Sequence, residues 1–414
     1  MSIVFKNDKP FFEDVPIVNL INSYKTPFYV YSQNEIIKNY NNLKDNLSAE
    51  IFYAVKANSN QAILKLLNNC GSGADVVSKG ELKRSLEAGF EPNKIIFEGV
   101  GKSKEDIEYA VNKNIRLINV ESINELLIIN EIGERLNKRI NIGLRLNPDI
   151  DAQTDSKIST GKKTDKFGIG IQNLNNVLLK IQSFKKINMI GISCHIGSQI
   201  KEVKIFEKIF NIMKSSASNC LSKNIKIEFV DLGGGFGVNY EEKNNNLDIA
   251  TIGKLSKSIF KDQPYNISFE PGRYIVAKAG IIITKILTIK ENGGINFLIT
   301  DAGMQTLLRP AIYGAKHRIQ ALNNTKNKNT LYTIAGPICE SSDIITKDIF
   351  LPEQQIENFL AILDTGAYGS VMASNYNSRG IPAELLVNYN DYAVIHEEEE
   401  IEQIIKRDSI PKWL

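Results

Sequence analysis

Cysteine, histidine and tryptophan are scarce in this chain of 414 residues, which has four Cys, three His and one Trp. The cysteines, Cys70, Cys194, Cys220 and Cys339, are scattered, and no pair stands at metal-ligand spacing. This excludes a disulfide-stapled scaffold, gives no metal signal, and makes a reducing compartment the simpler expectation. An excess of one charge sign is lacking too. Fifty Lys and Arg against forty-seven Asp and Glu leave +3, too balanced to point to nucleic acid. No apolar run approaches the roughly 20 residues of a membrane helix. The N-terminal MSIVFKNDKPFFED has no sustained apolar stretch of the secretory kind. The expectation is a cytoplasmic protein with neither a nucleic-acid nor a membrane partner. No Pro- or Gly-dominated stretch suggests a fibre, and 43% hydrophobic residues exclude disorder. The length predicts two domains, or one large barrel with an appendage.

What is present is alternation. Eight apolar runs read as strands: Ile51–Val55, Ala74–Ser78, Lys94–Glu98, Ile115–Val120, Ile140–Leu146, Met189–His195, Ile227–Leu232 and Ile267–Glu270. Helical stretches separate them, such as Asn60–Asn69, Lys79–Ala88, Lys104–Asn112 and Ser122–Leu136. Ser122 with Glu125 fits a capping box, and Ser103 with Asp106 is a looser relative. Strands alternating with helices pair in parallel, and continuous apolar strands imply burial on both faces. Eight such units close a (β/α)8 barrel of the TIM type over residues 33–280; an open doubly wound sheet is the alternative. After about residue 280 the texture changes. Ile281–Thr288, Asn296–Thr300, Thr330–Ala335 and Leu385–Tyr389 read as strands punctuated by Gly and Pro. The fold class is therefore α/β: a barrel plus a mainly β domain of residues 1–32 and 281–414, which Pro27–Tyr31 joins. EEKNNN at 241–246 and NNTKNKNT at 323–330 read as exposed loops, and EEEE at 397–400 as a solvated helix face.

Polar groups concentrate where the barrel strands end. Lys56 follows the first strand; at a barrel mouth its amine is a usable nucleophile toward a carbonyl. His195 ends the sixth strand, where an imidazole can stack on a flat cofactor or move a proton. Gly233, Gly234 and Gly235 follow the seventh, so backbone N–H groups can approach a phosphate closely. Their spacing is not the Gly-x-Gly-x-x-Gly dinucleotide fingerprint. The eighth ends Glu270-Pro271-Gly272-Arg273: an acid for a protonated ring nitrogen, and an Arg that grips phosphate or carboxylate by two prongs. Each has a plainer alternative when read alone: a solvated lysine, a structural histidine, a tight turn, a surface ion pair. Together the four describe a pyridoxal phosphate site, whose protonated ring is an electron sink suited to decarboxylation.

Tyr53–Asn58, His195–Gln199, Gly233–Gly237 and Glu270–Arg273 resemble the barrel-type pyridoxal phosphate decarboxylases related to alanine racemase. A further series is Asp301-Ala302-Gly303, Leu308–Tyr313, Gly336–Asp343, Gly366–Gly369, Met372–Asn377, Arg379 and Pro382-Ala383-Glu384. In this order, with Ile158–Gly161 and Lys166-Phe167-Gly168, it resembles the diaminopimelate decarboxylases over nearly the whole chain. The resemblance implies conversion of meso-2,6-diaminopimelate to L-lysine and CO2, the last step of lysine biosynthesis. It implies that Lys56 bonds the cofactor aldehyde, Glu270 pairs with the pyridine nitrogen and His195 packs against the ring. Ser198, Gly233–Gly235, Gly272 and Arg273 would surround the phosphate and the substrate end of the pocket. Arg273, Arg309, Tyr313 and Glu340 would hold the distal end of the substrate, and Tyr368 would contact both phosphate and substrate. Cys339 matches a proton donor inserted across a homodimer interface, so that each site is shared between subunits. Asp75 and Arg145 match barrel positions near the cofactor.

One departure stands out. Gln305 and Thr306 follow Asp301-Ala302-Gly303 where the family pattern has an Asn-Asp type of pair. Phe236 in the glycine loop is a tolerable variant. The rival readings are a sibling decarboxylase acting on lysine, ornithine, arginine or carboxynorspermidine, a racemase on the same barrel, and a non-catalytic pyridoxal phosphate carrier. A diacid substrate needs cations at its far end, which Arg273 and Arg309 supply. A racemase of this type tends to present an Arg, not an acid, to the pyridine nitrogen. A carrier can be a lone barrel, without the long C-terminal portion.

Overall fold

A computed structural model describes residues 3–151, 160–240, 247–323 and 329–414. The loop expected at 241–246, most of that at 323–330, and Ile158 and Ser159 lie outside these residues. The chain divides into two compact units. One is formed mainly by Ile37–Val238 and closes at Tyr274; the other holds residues up to Ile36, a short excursion beginning at Asn239, and Ile275–Leu414.

The first unit is a closed parallel barrel. Its strands are β1 Glu50–Ala54, β2 Gly73–Val76, β3 Ile95–Phe97, β4 Leu117–Val120, β5 Ile140–Asn147, β6 Ile187–Ser193, β7 Phe229–Asp231 and β8 Asn266–Phe269. Each pairs in parallel with the next, and β8 pairs with β1, which closes the ring. All eight runs expected from the sequence are strands, and the open-sheet alternative falls with the β8–β1 pairing. Local chemistry starts the helices between them. Asn60 and Ser78 cap Gln61–Asn69 and Lys79–Glu87. Ser103 and Asp106 form a full reciprocal box on Lys104–Lys113. The pair expected to be the better box, Ser122 and Glu125, makes only half of one. Ser122 Oγ accepts from Glu125 N, but Glu125 Oε2 turns to Glu121 N.

The barrel's N-terminal end is dry. Phe52, Ile96, Leu117, Ile190 and Phe229 form one buried cluster. The Arg116 guanidinium lies over it, 5.3 Å from the Phe52 ring centroid and 4.8 Å from that of Phe229. The buried polar side chains gather toward the opposite end, where the strands finish.

The second unit is built on the strand Gly280–Asn292, thirteen residues long. Phe28–Ser32, Ile295–Thr300 and Phe359–Ile362 pair with it antiparallel. Glu384–Asn388 pairs in parallel with Phe28–Ser32, so the segment expected at Pro27–Tyr31 does join this sheet. Ile344–Pro352 and Asp391–His396 were not foreseen. They are sheet margins with many exposed residues, so their apolar alternation is weak. The EEEE run is no helix face. It precedes the short helix Ile401–Ile405, and Glu399 accepts from Asn375 Nδ2 and Ile381 N. Among the described residues no helix is long and apolar enough to cross a membrane.

Candidate active site

Four strand ends meet at the barrel mouth. Lys56 lies in the tight helical turn Val55–Ala57 directly after β1. Its side chain is 35% exposed, and its Nζ donates to Asp75 Oδ2 at 2.9 Å. Burial pushes the Asp75 carboxyl up, against the pull of Lys56. His195 follows β6, and its Nδ1 accepts from Gly234 N at 3.2 Å. Burial, then the Lys56 and Arg145 charges, drive this imidazole well below its ordinary value, so it stands neutral. Asp231 ends β7; its Oδ1 accepts from Gly233 N at 2.7 Å and its Oδ2 from Ser268 Oγ at 2.6 Å. Gly233 and Gly235 take φ of +68° and +86°, the left-handed region. A Cβ on Gly233, Gly234 or Gly235 would strike the carbonyl of Cys194, Glu270 or Gly197 respectively. The loop after β8 closes the ring of contacts. Ala54 N donates to Pro271 O at 3.2 Å, and Gly272 presses on Ala54 and Ala57 beside Lys56. Arg273 Nε and Nη2 lie 3.2 and 3.1 Å from Ser198 Oγ.

A buried polar layer supports this mouth. Arg145, on β5, puts Nη1 2.8 Å from Glu121 Oε1 and 3.4 Å from Glu98 Oε2. Glu98 also accepts from Asn119 Nδ2 and from Ser193 Oγ. Burial opposes the Arg145 charge, yet Glu98 and Glu121 outweigh it and hold the guanidinium above its ordinary value. Glu270 is buried, and its Oε1 has no hydrogen-bond partner among the described residues. Burial, then the negative charges of Asp231, Asp75 and Glu98, push its carboxyl well up. Asp231, Asp75 and Glu98 thus crowd Glu270 with negative charge, and the Lys56 charge opposes them. The interior is short of positive charge next to Glu270.

The remaining expected residues belong to the second unit. Arg309 opens the helix Arg309–Tyr313 and is buried, while Tyr313 at its far end is half-buried. Arg309 Nη1 lies 2.9 Å from His317 Nε2, and its Cζ lies 4.6 Å from the Tyr240 ring centroid. Cys339 and Glu340 are exposed, and Glu340 Oε1 accepts from Tyr376 Oη at 2.6 Å. Asp343 ties two motifs together by accepting from Met304 N at 2.6 Å and Ile338 N at 2.8 Å. Tyr368 has φ +55° in the loop after Phe359–Ile362. The Gln305 and Thr306 departure is buried: Gln305 Nε2 donates to Asp301 O and Thr306 O accepts from Tyr29 Oη.

The model of the family described as pyridoxal-dependent decarboxylase, pyridoxal binding domain, matches residues 33–277. The chain is 36% identical to the diaminopimelate decarboxylase of Aquifex aeolicus, over 97% of this chain and 96% of that one. The chain belongs to the diaminopimelate decarboxylase family. Two solved structures of such enzymes with L-lysine are similar throughout. That from M. jannaschii has a TM-score of 0.94 at 35% identity and covers 100% of this chain and 99% of its own. That from Helicobacter pylori has a TM-score of 0.91 at 38% identity and covers 94% and 98%.

Pyridoxal phosphate is the cofactor of this pyridoxal-dependent decarboxylase family, and the barrel mouth fits it. An unpartnered buried carboxylate oxygen on Glu270 suits a protonated ring nitrogen, which supplies the missing positive charge. A turn of three glycines packed against three carbonyls has no room for side chains, so a phosphate can come close to its backbone. For a diaminopimelate decarboxylase the sequence reading left gaps. Asp231, Glu98, Glu121, Asp343, Tyr240 and His317 received no role, though each is wired to an expected residue or motif. Asp231 was within reach, since it stands two residues before the first glycine, at the end of a buried strand.

Proposed function

We propose that the chain decarboxylates meso-2,6-diaminopimelate to L-lysine and CO2, the last step of lysine biosynthesis. The observation that carries the reading is the gathering of Lys56, the unpartnered Glu270 oxygen and the Gly233–Gly235 turn at one barrel mouth. The likeness to diaminopimelate decarboxylases over almost the whole chain supports the substrate. When bound, the cofactor supplies an electron sink for the bond that releases CO2.

The chain's own residues do the rest. Lys56 Nζ would hold the cofactor covalently. Glu270 would face the ring nitrogen as the anion that keeps it protonated. His195, neutral, would pack on the ring without adding charge. Ser198, the Gly233–Gly235 backbone, Gly272, Arg273 and Tyr368 bind the phosphate and the near end of the substrate. Arg273, Arg309, Tyr313 and Glu340 hold the amino-acid end that is not decarboxylated. Cys339 Sγ, brought by the second subunit of a homodimer, returns a proton to the carbon that has lost CO2. The exposure of Cys339 and Glu340 supports a place at a subunit boundary. A cytoplasmic location fits a biosynthetic enzyme of this kind.

Borohydride reduction followed by mass spectrometry should place a pyridoxyl group on Lys56, and purified protein should release CO2 from meso-2,6-diaminopimelate. An adduct elsewhere would end the assignment of Lys56. CO2 from L-lysine, L-ornithine or L-arginine instead would move the reading to a sibling decarboxylase. A yellow protein inert toward all of them would make it a carrier.

A further inference from the structure

Two of the three histidines are not used by the reaction, and one of them is buried. His317 lies between the helix Arg309–Tyr313 and the strand Ile319–Ala321. Its Nδ1 lies 3.0 Å from Leu363 O, an oxygen that can only accept. Its Nε2 lies 2.9 Å from Arg309 Nη1, a nitrogen that can only donate. Both partners therefore require one form: the neutral ring with its proton on Nδ1 and a lone pair on Nε2 toward Arg309. The Tyr240 ring completes the arrangement. It lies 5.5 Å from the His317 ring at 71°, and the Arg309 Cζ sits 4.6 Å over its centroid. The guanidinium is held at one edge by an acceptor and on one face by an aromatic ring. Its plane is thereby set before any ligand arrives, and two-pronged capture of a carboxylate depends on that plane.

We propose that His317 is a positioning residue for substrate selection. As a neutral acceptor it fixes the Arg309 guanidinium in the orientation that grips the α-carboxylate retained in the product. This rests on the function proposed above and adds a specificity device to it. The device acts through Arg309 alone, so it bears on ligands carrying that carboxylate and not on bare diamines.

Two variants separate this from simple packing. In His317→Gln, Oε1 can take the place of Nε2 and still accept from Arg309. In His317→Asn, Nδ2 can take the place of Nδ1 toward Leu363, but nothing reaches Arg309. Both lose the ring beside Tyr240 to a similar degree. With the holoenzyme, His317→Asn should raise KM for meso-2,6-diaminopimelate and Kd for L-lysine at least tenfold, with kcat within about threefold of wild type. Kd for cadaverine, which has no carboxylate, should stay unchanged, and His317→Gln should recover most of the loss. Equal weakening of L-lysine and cadaverine, or a failure of Gln to outperform Asn, overturns the proposal. Should His317→Asn not fold, 15N spectra of the wild-type histidines decide: a protonated Nε2 on His317 overturns the proposal, and an unprotonated one supports it. If the wild type releases no CO2 from diaminopimelate, the functional reading fails on its own, while the contrast between L-lysine and cadaverine still tests His317.

Discussion

Asp231 is the sharpest place to test the electrostatics of the barrel mouth. It is fully buried, and burial pushes its carboxyl from an ordinary 3.8 up to about 7, against the hydrogen bonds from Ser268 Oγ and Gly233 N. An acid with a raised folded-state value favours the fold while protonated. Its cost appears as pH rises above 3.8 and is complete once pH passes about 7. At about 1.4 kcal/mol per pH unit the full cost has a ceiling of about 4 kcal/mol. Asp231→Asn removes that cost. Asn Oδ1 still accepts from Gly233 N, and Nδ2 can donate to Ser268 Oγ once that hydroxyl turns. The variant should therefore nearly match wild type near pH 4, where the folded Asp231 is itself neutral, and be more stable, by up to about 4 kcal/mol, at pH 8.5. Urea denaturation followed by circular dichroism across this range reads the divergence directly. A variant weaker by the same amount at both ends would show that Asp231 is ionised throughout and that its charge is needed, which would refute the burial account.

Two further outcomes follow from the same geometry. Gly234→Ala places a Cβ against the Glu270 carbonyl, so the turn must shift while the barrel stays closed. Pyridoxal phosphate should dissociate at least tenfold more readily at unchanged circular dichroism, and unaltered retention in dialysis would remove the turn from the phosphate site. Mixing inactive Lys56→Ala and Cys339→Ala subunits should restore part of the activity, because one mixed site then carries both intact residues. No recovery after verified exchange would mean that each site is built within one chain.

The barrel was legible because its strands are buried on both faces and therefore read as unbroken apolar runs. Lys56, Gly233–Gly235 and Glu270 were legible because each interrupts the texture just where a run ends. The support beneath them was harder to see. Glu98, Glu121 and Arg145 sit at or after three different strands, 24 and 47 residues apart for the pairs that bond. No local period joins such residues, since a closed barrel assembles its interior from one side chain per strand. His317 shows the same limit at shorter range. Arg309 and Tyr313 suggested a shared helix face by their i, i+4 spacing, yet the partner that fixes Arg309 lies eight residues on, beyond the helix end.

A rule was nevertheless available. A strand buried on both faces offers no solvent to a charged or amide side chain within it, so each such residue must be paired inside the barrel. Asp75, Asn119, Arg145 and Asp231 all lie within strands of the ring and all are buried. Arg145 meets carboxylates, Asn119 meets Glu98, Asp75 meets Lys56, and Asp231 meets the glycine turn. Polar residues inside apolar runs, set beside the strand ends, would have pointed to the supporting layer as directly as the ends pointed to the site. The same reasoning accounts for the raised carboxyl of Glu270. Its near neighbours in that layer are acids that cannot reach water, so an added positive charge at its free oxygen relieves several of them at once.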